Sequence, residues 1–250
     1  MRRFLFLLFV VSFSCVFIGC PAKHHWEKET FFISKYFEPT LFVSQIEGAD
    51  TLFVVKYKVG NKDMKGEEWN KYKSLCVKHN DLGLSKPYKY SYEYGAKVVA
   101  WDFEKVEIKC LSDYDKEHLK GSSLNDITTF YTTTLYPFLK SGYEKLADPK
   151  SFGIPETILK LLYPAQWLHS PDFKFSLSSF FPNIPVVRRT SELKKDDLMV
   201  IGGGYPNTVP HLAVIRLDKR PDKPGDYMID VIFTTDEGGT ITAGGIVHFD

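Results

Sequence analysis

The chain has almost no excess charge of either sign. Its 250 residues carry 32 Lys plus Arg against 31 Asp plus Glu, a formal net charge of +1. A nucleic-acid-binding surface normally needs a basic excess or stripe, so that class of function is disfavoured. There is no repeat of 20–50 residues and no low-complexity tract. Neither G-x-S-x-G nor H-E-x-x-H occurs, so two common hydrolase signatures are missing. Cysteine is scarce, at four residues. What is present is ordinary for a folded chain: 44% hydrophobic and 25% charged residues, which speaks against wholesale disorder. Only the aromatic content, 15%, is rich.

The single long apolar run lies at the start. Met1-Arg2-Arg3 leads into Phe4–Ile18, and then Gly19 and Cys20 follow. Basic residues, a short apolar stretch and a small residue are the three parts of an export signal. A membrane span needs about 20 apolar residues, more than this run supplies. The sequence Phe17-Ile18-Gly19-Cys20 resembles a bacterial lipobox. That resemblance implies a diacylglyceryl group on the Cys20 thiol, cleavage by signal peptidase II before Cys20, and acylation of the new amine. Two or more acyl chains hold a protein stably on a membrane, whereas one gives only marginal binding. Removing residues 1–19 takes away Arg2 and Arg3 and no acid, leaving 30 basic and 31 acidic side chains. Residues 20–29 are short and polar and read as a tether. Residues 30–250 read as one domain.

Cys15 leaves with the signal and Cys20 is consumed by lipid, so Cys76 and Cys110 remain in an oxidising compartment. A Cys76–Cys110 disulfide is therefore expected. Its loop would contribute about 3–4 kcal/mol through chain entropy. Cys76-Val77-Lys78-His79 with Cys110 lacks a clear fourth metal ligand, and no metal is expected.

The patterning is mainly that of strands. Phe53, Val55, Tyr57 and Val59 alternate with Lys56 and Lys58, and Gly48-Ala49-Asp50 offers a turn back to Leu41–Ile46. Val106, Ile108 and Cys110 alternate with Lys105, Glu107 and Lys109. Tyr227, Ile229, Val231 and Phe233 share a face, and Asp236-Glu237-Gly238-Gly239 suits a hairpin turn. Thr240–Phe249 closes the chain as a strand, with Gly244-Gly245 expected to mark a bulge. His211–Leu217 and Asp197–Ile201 are further expected strands. Helices are fewer: Glu67–Lys78, with Trp69, Tyr72 and Cys76 on one face, and a short one begun by Pro155 and ended before Pro164. Ser123–Asp126 suits an N-cap, while the β-leaning Thr128–Thr134 that follows leaves its own state open. The expected fold is mainly β with minor α. It is an antiparallel, immunoglobulin-like β-sandwich with a partly helical insertion around residues 120–170.

The stretch Val106–Asp126, with Asp113, Tyr114, Asp115, His118 and Gly121, resembles a segment of small lipoproteins of Bacteroidota. The closing hairpin from Asp236 to Phe249 is similar to theirs. The resemblance implies an envelope address and a β-sandwich-like fold, and assigns no activity.

Candidate chemistry is thin. Asp113, Asp115, Glu117 and His118 form the densest acidic cluster. A calcium loop there would lack the glycine and distal acid of the helix-loop-helix pattern. Gly202-Gly203-Gly204 lacks the Lys-Ser/Thr of a phosphate loop. Tyr88, Tyr90, Tyr92 and Tyr94 alternate, which would line four phenols along one face of a strand, as a candidate ligand surface for sugar rings or a protein. Trp167, Phe173, Phe175, Phe180 and Phe181 crowd a second aromatic region. The expectation is a lipid-anchored envelope protein, near the outer membrane, that binds a protein or glycan without catalysis, cofactor or nucleic acid. An envelope hydrolase acting on glycan or peptide is the alternative, and an assembly subunit a third class.

Overall fold

Alternating apolar and polar side chains build most of the molecule. The structure, a computed structural model, describes residues 31–59, 67–82, 96–163, 182–201 and 211–250. The strands are β1 (Ile33–Phe37), β2 (Pro39–Ile46), β3 (Ala49–Val59), β4 (Ala96–Val99), β5 (Phe103–Cys110), β6 (Thr128–Thr134), β7 (Ile184–Arg189), β8 (His211–Leu217), β9 (Gly225–Thr235) and β10 (Thr240–Phe249). The helices are α1 (Glu67–Lys78), α2 (Tyr136–Lys140) and α3 (Glu156–Leu162).

Two antiparallel sheets carry the core. One has the order β2-β3-β8-β6-β7 and the other β10-β9-β5. Phe53 and Val55 of β3, Val106 and Ile108 of β5, and Ile229, Val231 and Phe233 of β9 meet in one apolar cluster between them. The expected alternations on β3, β5 and β9 and the expected closing strand β10 are thus present, and the fold is mainly antiparallel β with minor helix. β3 and β8 are covered on their other face as well. Val54, Tyr131 and Val214 pack under Ile158, Leu159 and Leu162 of α3, each such burial contributing roughly 1.5–3 kcal/mol. α3 follows Pro155, as the sequence suggests, and Tyr163 ends it in an extended conformation.

A further, smaller pair of strands adjoins the core through Phe37 and Val99. β1 and β4 pair in parallel, and α1 and α2 pack on them through Tyr36, Tyr72, Cys76, Val98, Phe138 and Leu139.

The β-leaning Thr128–Thr134, left open by the sequence, is a sheet strand between β8 and β7, so the helical segment begins only after Thr134. Two expectations are corrected. Asp197–Ile201 is not a strand. Lys195–Asp197 forms a 3₁₀ turn, after which the carbonyls of Leu198, Val200 and Ile201 accept singly from Phe103, Leu135 and Val99. Gly244-Gly245 marks no bulge: β10 pairs with β9 without interruption from Thr240 to Phe249. The glycine is needed because β2 comes close, since a Cβ on Gly245 would lie 2.4 Å from the Val43 carbonyl oxygen. Beside it, the Gln45 side chain accepts from the His248 amide at 2.8 Å and donates to the His248 carbonyl at 2.6 Å. That side-chain link joins the edges of the two sheets.

Candidate functional site

The densest buried polar group lies where α1 meets β1 and the β4–β5 connection. His79 follows the last turn of α1, its amide donating to the Leu75 carbonyl. Its side chain is fully buried. Nε2 lies 2.8 Å from Asp102 Oδ2 and Nδ1 lies 2.9 Å from the Tyr36 hydroxyl. The carboxylate only accepts, so Nε2 carries the proton. In the neutral ring Nδ1 then accepts from the tyrosine. Asp102 Oδ2 also receives the Lys78 ammonium at 2.8 Å, which bridges to Asp236 at the same distance. Asp102 Oδ1 accepts from the Val200 amide at 3.2 Å. Burial pushes the Asp102 carboxyl up, but the bonds from His79 and Lys78 outweigh it and hold it at about 2.

A second carboxylate fastens the start of the domain. Asp81 accepts the amides of Phe32 and Ile33, both at 2.9 Å, and the Tyr143 hydroxyl at 2.7 Å. Its carboxyl is nonetheless raised, because burial exceeds these bonds. Tyr72 donates to the Ile33 carbonyl at 2.6 Å.

The group is closed. A general base needs a lone pair aimed at substrate, and His79 already spends both nitrogens on protein partners. Cys76 lies beside it as a buried thiol pushed up to about 12, chiefly by burial. A nucleophilic cysteine needs the opposite shift. The cluster therefore ties α1, β1, the β4–β5 connection and the Asp236 turn together.

The acidic stretch after β5 forms a second clamp. Asp115 Oδ1 accepts the amides of Glu117 and His118 at 2.8 Å each, and Lys219 reaches Oδ2 at 2.6 Å. His118 sits between carboxylates, with Asp115 2.8 Å from Nδ1 and Asp126 3.1 Å from Nε2. Both nitrogens face acceptors, an arrangement that favours the imidazolium, in which both donate. Its pKa is raised: burial lowers it, and the bonds to Asp115 and Asp126 more than compensate. The Asp115 carboxyl is held well below the usual range, as the bonds from Lys219 and His118 overcome burial. The carboxylates flank the ring on opposite sides. Among the described residues no three His, Cys, Asp or Glu side chains converge as a metal site.

The sequence-predicted residues fare differently. Cys76 and Cys110 are free thiols, so the expected disulfide is not formed. Cys76 lies in the α1–β1–β4 cluster and Cys110 in the core between the sheets, each packed as a small apolar side chain. Cys20, the tyrosines Tyr88, Tyr90, Tyr92 and Tyr94, the region from Trp167 to Phe181 and Gly202–Gly204 lie outside the described residues. The Tyr36–His79–Asp102 chain was not foreseen. The sequence sets His79 only beside Cys76 and Cys110 as a metal ligand, and its partners are 43 and 23 residues away. The spacing Ser191-Glu192-Leu193-Lys194 matches an S-x-x-K hydrolase string. Ser191 lies in an exposed 3₁₀ turn, Thr190–Glu192.

No family model matches the chain, and neither a curated protein nor a solved structure does.

Proposed function

We propose that the chain is an envelope lipoprotein, held by lipid on Cys20 and probing its surroundings with a β-rich binding body. The observation that carries this reading is Phe17-Ile18-Gly19-Cys20 at the end of an apolar run opened by Arg2-Arg3. Such a run followed by a lipobox directs export and the attachment of a diacylglyceryl group and an N-acyl chain, which suffices for stable anchorage. The partner is a protein or a glycan of the cell envelope, near the outer membrane. The buried polar group supports binding over catalysis, because His79 and Asp102 are each committed to protein partners.

The test is metabolic labelling with a radioactive fatty acid in a bacterial host. Wild type incorporates label and matures; Cys20→Ala does neither. Equal labelling of both proteins would overturn the reading. Binding is tested separately by applying the purified chain to a glycan array and to solubilised envelope proteins.

A further inference from the structure

We propose that the Trp69–Lys73–Val77 face of α1 docks on the surface of the membrane that holds the lipid anchor. The proposal rests on the reading of Cys20 as lipidated. The first described residues pack against α1. Phe31 packs edge-on against Tyr72, ring centroids 5.6 Å apart, and Trp69 stacks on the same Tyr72 ring at 5.1 Å and 17°. Bonds from Tyr72 to the Ile33 carbonyl, and from the Phe32 and Ile33 amides to Asp81, fix that junction against α1. Cys20 lies eleven residues before Phe31, a reach of at most about 40 Å even fully extended. Phe31 thus sets α1 within that reach of Cys20, as Phe32 does α2 through Phe138 at 4.9 Å, and of the two it is α1 that carries an exposed tryptophan.

The face has the chemistry of a bilayer boundary. Trp69 is 47% exposed and Val77 66% exposed. Residues 69, 73 and 77 fall at successive four-residue steps along one side of the helix. Lys73 Nζ stands over the Trp69 ring at 5.5 Å. Tryptophan favours the headgroup level, where its ring meets acyl chains and its N–H meets water. Lysine lays its stem along apolar surface and presents its ammonium to phosphates. A tether this short gives an effective concentration on the order of millimolar, so a weak surface affinity suffices.

The experiment uses the full lipidated chain in vesicles of phosphatidylethanolamine and phosphatidylglycerol carrying brominated acyl chains. The chain has four tryptophans, so the difference between wild type and Trp69→Phe isolates Trp69. Bromine is expected to quench that component. Val77→Asp, or Lys73→Glu should Val77→Asp lose its native circular dichroism, is expected to abolish the quenching. Equal quenching in wild type and Trp69→Phe, with fatty acid confirmed on Cys20 by mass, would overturn the docking face and leave the anchor intact. Absence of fatty acid on Cys20 would overturn both. Shielding of Trp69 from aqueous iodide without quenching by bromine would assign the face to another protein or a second copy, and so overturn the proposal.

Discussion

Gly245 of β10 lies so close to Val43 of β2 that a side chain there would meet backbone: a Cβ would stand 2.4 Å from the Val43 oxygen and 2.7 Å from its Cβ. Neighbouring Gly244 meets only the end of the Asp230 side chain, at 3.0 Å. Gly245→Ala should therefore lower unfolding free energy by about 3 kcal/mol, the upper part of the range for overpacking. Gly244→Ala should cost less than about 1 kcal/mol, because a surface carboxylate can swing away. Urea denaturation of both variants checks this, and equal midpoints would contradict it.

The two glycines also show where sequence reading stops. Period-two alternation made β3, β5 and β9 legible, because one face of each is core, and the turn at Asp236–Gly239 made β10 so. α1 was legible from Trp69, Tyr72 and Cys76, and α3 from Pro155. A run of threonines hid β6: its buried hydroxyls are satisfied at a distance, Thr132 by the Leu212 carbonyl and Thr134 by the Met199 carbonyl. The stretch from Leu198 to Ile201 has the side chains of a strand, yet its carbonyls go to four separate partners. Why Gly245 is glycine depends on a strand some 200 residues earlier. The site was less legible than the fold, since Tyr36, His79 and Asp102 share no local pattern.

Asp102→Asn should be among the most damaging single changes. It leaves the buried His79 and the Lys78 ammonium without their shared carboxylate. Impairing a buried hydrogen-bonded group costs about 1–3 kcal/mol, and Lys78 keeps Asp236. The double variant His79→Gln, Asp102→Asn should cost clearly less than the sum of the singles, because the two side chains are in contact. Additive losses in chemical denaturation would argue against the chain of bonds described.

The His118 clamp sets a pH dependence. His118 is raised in the folded protein, so the unfolded chain holds fewer protons around neutrality. Its contribution is complete below the unfolded value of about 6.5 and is lost as pH rises through the folded value. Asp115 is depressed, so its contribution is present above about pH 4 and is lost as pH falls through the folded value. Stability measured from pH 6 upward should decline in wild type and flatten in His118→Gln. His248, raised by Asp226 and then Asp250, titrates in the same window. His248→Gln is therefore the control background. An unchanged slope in His118→Gln on that background would refute the clamp.

Cys76 and Cys110, buried in separate clusters, should resist iodoacetamide in the native protein and react fully in urea. The mass of the chain should be the same before and after reduction. A mass increase on reduction would reveal a bridge and contradict the free thiols.

The anchor on Cys20 is tested most directly by mass spectrometry of the N-terminal peptide of protein purified from a bacterial envelope. The account predicts a peptide that begins at Cys20 and carries a diacylglyceryl group on sulfur and a fatty acid on nitrogen. A peptide that begins at Met1 and bears no lipid would contradict it.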